Sequence, residues 1–200
     1  MFLPDSALRH SCATTPPRKA ASGGSDAHAV HAIRRHRRAL ASTTLAGAPQ
    51  ARATLVAEKA RLLAPHVDLI LIETISSLDL ARGALKGART TDRPVWLSVS
   101  VQDRDGTKLR SGESVAALAE VLAETPADAV LANCSMPEAM SAALTALKPL
   151  GLPFGAYANG FSEITPHSHG TSAPDYCARH DLSPERYADF ALGWVAQGAT

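Results

Sequence analysis

Four times in this sequence an apolar run ends in side chains able to do chemistry: Glu73 and Thr74 close "LILIET", Ser98 and Ser100 interrupt "WLSVS", Asn133 and Cys134 close "AVLANC", and Tyr157 and Asn159 fall in "GAYAN". An ionised carboxylate after an Ile/Leu run needs a partner, which a bound cation, an amine, a helix N-terminus or an arginine would supply. A strand-end thiol reads in two ways. It is either a small buried hydrophobe or, as a thiolate, a soft metal ligand. Two further groups carry ligand chemistry: His167 and His169 in "PHSHG", and Cys177 in "SAPDYCARHDLSPE". Thiolate and imidazole both suit zinc, so a Cys134, His167, His169 site is conceivable, and a solvated histidine pair is the plainer reading.

The elements that must position these groups follow from the pattern of apolar residues. Residues 51–63 carry Leu55, Ala57, Ala60, Leu62 and Leu63 near a 3.6-residue spacing, and Pro65 breaks the run, which predicts a helix. "VDLILIETISS" is nearly continuous in apolar character, the signature of a parallel strand covered on both faces. A helix follows over residues 78–89. The unit recurs with "PVWLSVSV", "GESVAALAEVLAE", "DAVLANC", "PEAMSAALTALKPL" and "PFGAYANG". In the last helix, "SPERYADFALGWVAQGA", Ser183 is the N-cap, Pro184 takes the first helical position and Glu185 lies in the first turn. Four strands alternating with helices over short connections predict parallel β/α units with right-handed crossovers. In such a sheet the carboxyl ends of the strands converge on one site.

Composition bounds the rest. The chain has 200 residues, 46% hydrophobic and 20% charged, as in a folded globular domain, and no apolar run approaches the roughly 18 residues that cross a bilayer. No membrane partner is expected. Residues 1–50 hold seven Lys or Arg against two Asp, and the remainder holds thirteen against seventeen acids, so the basic character belongs to the N-terminal segment. That segment is rich in Ala, Ser, Thr, Pro and Gly and reads as a disordered basic tail, with residues 51–200 as the folded domain. Its cluster "IRRHRRAL" suits a transit peptide or a nucleic-acid patch by composition, but it lacks interleaved aromatics, and no nucleic-acid partner is expected. Three cysteines make no closed disulfide framework, which points to a reducing, cytoplasmic setting.

Taken together and in this order, "DLILIETISSLDLARGAL", "PVWLSVSV", "GTKLRSGESV", "LANCSMPE" and "GAYANG" resemble the homocysteine S-methyltransferase family. These are zinc-dependent barrels that include betaine-, S-methylmethionine- and cobalamin-linked methyltransferases. The resemblance covers residues 51–200, and it implies an α/β fold, a partial (β/α)8 TIM barrel of about four β/α units corresponding to strands four to seven. By the same resemblance Glu73 holds the amino group of homocysteine, and Cys134 is the first of three cysteines that bind a catalytic Zn2+. Asn133 stands beside that ligand, and Tyr157 and Asn159 line the pocket in a Tyr-Pro-Asn-like turn, with Ala158 here as the middle residue. The implied reaction is transfer of a methyl group to the zinc-bound thiolate of homocysteine to give methionine, a step of methionine biosynthesis. Zinc would convert a thiol of pKa near 8.5 into a bound thiolate. The partners implied are homocysteine and a methyl donor of the betaine, S-methylmethionine, S-adenosylmethionine or methylfolate type.

The family's other two zinc ligands belong to a Gly-Gly-Cys-Cys motif that follows a Trp…Gly-Ala segment; "GWVAQGAT" reaches that approach at Thr200. The family's opening Asp-Gly-Gly strand finds no counterpart in residues 1–50. The expectation is a chain incomplete at both ends, supplying one zinc thiolate. A second reading follows: a catalytically inactive half-barrel that binds homocysteine weakly or self-associates, as a homodimer through its open sheet edges.

Overall fold

In the computed structural model the described residues are 31–33, 49–163 and 177–200, with side chains from residue 53 onward. The disorder expected over residues 1–50 falls mostly outside them, and so do His167 and His169. Strand β1 spans His31–Ile33, helix α1 Pro49–Leu63, β2 Ile70–Ile75, α2 Leu78–Ala88, β3 Val95–Val99, α3 Leu118–Glu124, β4 Ala129–Asn133, α4 Pro137–Leu147, β5 Phe154–Tyr157 and α5 Pro184–Ala196.

All five strands are parallel and lie in the order of the chain, β1-β2-β3-β4-β5. A doubly wound sheet reverses its winding at a switch point; steady advance in one direction is the winding of a barrel wall. The sheet also curves. Strands β2 and β5 are separated by β3 and β4, about 14 Å in a flat sheet at ordinary strand spacing, yet the Tyr157 hydroxyl donates to Glu73 Oε1 at 3.0 Å. Their carboxyl ends lean toward a common axis.

The core forms where the apolar runs predicted it. Ile70, Ile72 and Ile75 of β2, Val95, Leu97 and Val99 of β3, and Val130 and Ala132 of β4 are buried against Leu85, Met140, Leu144 and Leu147 of the covering helices. Helices α1 and α2 approach closely because position 87 is glycine: a Cβ there would stand 2.5 Å from the Ala53 carbonyl oxygen and 2.6 Å from Val56 Cβ. Ser183 caps α5 as expected, its hydroxyl accepting from the Arg186 amide at 3.2 Å.

Two elements differ from the sequence expectation. The helix expected from residue 112 opens as a 3-10 turn, Val115–Ala117, and becomes α-helical only at Leu118, with Ser114 capping the turn through the Ala116 amide. Strand β1 adds a fifth strand to the expected four, pairing His31, Ala32 and Ile33 with Ile70, Leu71 and Ile72. Three residues are too few for a periodicity to register.

Candidate functional site

At the end of β2 the ladder with β3 slips. Ile72 pairs with Leu97 and Ile75 with Val99, so three steps on β2 match two on β3, and the extra residue is accommodated at Glu73 and Thr74. A bulge of this kind re-aims side chains at a strand end. Thr74 takes φ +61°, the left-handed region, where a β-branched residue is strained. Cys134, just past β4, does the same at φ +56°. These are the only non-glycine residues with positive φ among the described residues, and they touch: Thr74 Oγ1 donates to Cys134 Sγ at 3.4 Å.

Asn133 ties the two strand ends together. Its Oδ1 accepts from the Thr74 amide at 3.1 Å and from Ser98 Oγ at 3.0 Å, while its Nδ2 donates to Thr74 Oγ1 at 3.1 Å. With 1% of its surface exposed, Asn133 is held by both ends of its amide. The Cys134 carbonyl accepts from Arg110 Nη2 at 2.8 Å and Asn159 Nδ2 at 2.9 Å. Asp103 Oδ2 stands 3.6 Å from the same guanidinium, and its Oδ1 accepts from the Met136 amide at the start of α4. Buried Ser135 bridges Val101, accepting from its amide and donating to its carbonyl. The backbone that presents the thiol is therefore clamped from the segments that follow β3 and β5.

Glu73 and Tyr157 form a second linked pair beside this network. Glu73 is 9% exposed and accepts from Tyr157, whose phenol is pushed above its ordinary range chiefly by burial, against a hydrogen bond from Ser98 and with the Glu73 carboxylate adding to the rise. Tyr157 is thus a neutral donor at physiological pH. Ser100, buried near this end of β3, has no hydrogen-bond partner for its hydroxyl among the described residues.

The structure brings Glu73, Asn133, Cys134, Tyr157 and Asn159 into one connected region at the carboxyl end of the sheet. What the residue types alone did not show is the supporting set: Thr74 as the contact to sulfur, Arg110 and Asp103 behind the Cys134 backbone, and Ser135. The "RSGE" turn was the available signal. Its Arg110 grips Cys134, and its Glu113 accepts from the Leu78 amide at the start of α2, with Gly112 at φ +99° making the turn. Cys134 is a free thiol, and among the described residues no three His, Cys, Asp or Glu side chains gather as a metal requires. These residues alone do not form a zinc centre.

A match to the family Homocysteine S-methyltransferase covers residues 18–200. The chain belongs to the homocysteine S-methyltransferase family. The match opens at residue 18, ahead of β1, and so takes in most of the N-terminal segment, which carries none of the family motifs quoted above. Two solved structures of the homocysteine methyltransferase MmuM from Escherichia coli share the family fold. The metallated form aligns with TM-score 0.63 and 20% identity over 86% of this chain and 54% of its own; the apo form aligns with TM-score 0.58 and 23% identity over 78% and 51%. The chain spans about half the length of these structures. No curated protein matches it. The partial barrel is thereby the family's, and the family and these neighbours are methyltransferases. No helix among the described residues is long and apolar enough to cross a membrane.

Proposed function

We propose that this chain carries the homocysteine-binding part of a homocysteine S-methyltransferase. The observation that supports this best is the cross-barrel pair, in which a nearly buried carboxylate, Glu73, is oriented by a neutral phenol, Tyr157, within the same strand-end region as the Cys134 thiol. Glu73 takes the substrate's ammonium group, because a charge-assisted hydrogen bond in a poorly solvated site is worth more than at the surface. The substrate's sulfur sits against Cys134, which serves as one thiolate of the family's zinc. Asn133 acts through Thr74, and Asn159 through the Cys134 backbone it holds. Tyr157 acts through Glu73.

Zinc would need ligands beyond the described residues. The second reading, binding without catalysis, draws on the Cys134 thiol, which has no companion ligands among the described residues, beside a complete Glu73–Tyr157 pair. The two readings part on product. The full chain, supplied with Zn2+, L-homocysteine and each donor type in turn, is assayed for methionine by mass spectrometry. Methionine above the protein-free control with one donor supports the enzyme; homocysteine bound with no methionine from any donor supports the binding-only reading.

A further inference from the structure

We infer that Thr74 is the ruler of the site, a positioning residue that sets the length of amino thiol accepted and so favours homocysteine over cysteine. The inference rests on the proposed homocysteine site and adds a residue to it.

The observations are geometric. Glu73 and Thr74 are consecutive, so the carboxylate proposed for the ammonium group and the hydroxyl that touches Cys134 Sγ are one peptide unit apart. One hydrogen bond of 3.4 Å closes the remaining gap to the thiol. That bond runs from hydroxyl to sulfur. Asn133 Oδ1 accepts from the Thr74 amide and from Ser98, which places Nδ2 toward Thr74 Oγ1, and an oxygen that accepts from Nδ2 turns its own proton onward to sulfur. Three hydrogen bonds between Thr74 and the Asn133–Cys134 pair therefore lock the end of β2 to the end of β4. The lock is maintained at a cost, since Thr74 and Cys134 both sit in the left-handed region, a strain that persists only where its surroundings over-determine it.

A span fixed in this way discriminates by length. Homocysteine and cysteine differ by one methylene, and a well-fitted site separates such neighbours by roughly ten- to two-hundred-fold. If Thr74 sets the span, removing its hydroxyl lets the two strand ends drift and narrows that ratio.

Two variants test this. Thr74→Gly suits a backbone at φ +61° better than threonine does, so the variant folds while lacking the hydroxyl. Thr74→Ser keeps the hydroxyl and loses only the methyl. L-Homocysteine and L-cysteine are each titrated into the full-length wild type and both variants by calorimetry under reducing conditions. The expected result is a homocysteine-to-cysteine affinity ratio of about ten or more in wild type, retained in Thr74→Ser and cut at least three-fold in Thr74→Gly. An unchanged ratio in Thr74→Gly overturns the ruler and leaves the homocysteine site standing. No homocysteine binding to wild type overturns both. An equal loss of both ligands in Thr74→Gly also overturns it, because a merely structural role moves affinity without moving selectivity.

Discussion

Tyr157 shows how one side chain serves both fold and site. Its hydroxyl reaches across β3 and β4 to Glu73, and burial holds the phenol above its ordinary range. The linkage has a definite sign. A raised folded pKa means that the neutral phenol's contribution to stability is fully present below the unfolded value near 10 and is lost as pH rises through the folded value. Ultraviolet titration of phenolate absorbance, wild type minus Tyr157→Phe, is expected to show the missing tyrosine ionising above pH 10; ionisation below that pH would contradict the buried, neutral donor. The same substitution leaves Glu73 without its orienting bond. Homocysteine affinity in Tyr157→Phe should fall by roughly three- to ten-fold, the worth of a hydrogen bond of about 1 kcal/mol, while affinity for the des-amino analogue 4-mercaptobutyrate stays put.

At the scale of elements, helix α2 is held by two devices that can be tested separately. Its first turn is capped twice, by Ser77 Oγ accepting from Leu80 N and by Glu113 Oε2 accepting from Leu78 N at 2.9 Å. Glu113→Ala should cost about 1 kcal/mol in urea unfolding, as loss of a cap does; no change would mean that Glu113 contributes nothing at the helix end. Its packing on α1 depends on Gly87, and Gly87→Ala forces a methyl into the Ala53 carbonyl, with an expected loss of about 1–3 kcal/mol. Stability at or above wild type would show that the close approach is dispensable. The acidic clasp of Arg179 with Glu138 and Asp181 behaves oppositely to Tyr157. Arg179 holds Asp181 down at about 2 and Glu138 below its usual range, so their contribution is present above the ordinary carboxylate range and fades as pH falls toward about 2.

The elements are also where the sequence was most readable and where it stopped. Runs such as "ILIETI" and "AVLAN" announced covered parallel strands, and Ser183 with Pro184 announced α5, because burial and capping leave local marks. The bulge at Glu73 and Thr74 left none. Threonine there carries no glycine or asparagine signal for positive φ, and what holds it is Asn133, 59 residues away. The Tyr157 to Glu73 bond, across 84 residues, is a product of sheet curvature and has no local signature. Family motifs pointed to Glu73, Asn133, Cys134, Tyr157 and Asn159, but the contacts that fix their geometry, and the parts played by Thr74, Asp103, Arg110 and Ser135, emerge only from the fold.

At the scale of the whole molecule, the described sheet is open beyond β1 and β5, and the terminal helices expose apolar side chains: Leu55 and Leu62 on α1, Leu192 and Val195 on α5. The last amide, of Thr200, donates to the Phe154 carbonyl along the β5 edge. Open edges recruit partners, and we expect the purified chain to run as a dimer or larger in light scattering; a monodisperse monomer would contradict that. The homocysteine site is the part of the molecule on which its proposed function rests. Its most direct test is calorimetric titration of L-homocysteine into the full chain and into Glu73→Gln, which keeps size and removes charge. Saturable one-site binding in wild type, weakened at least roughly ten-fold in Glu73→Gln, as loss of a charged hydrogen bond predicts, is the expected result. Equal affinity in the two proteins, or no binding in wild type, would contradict it.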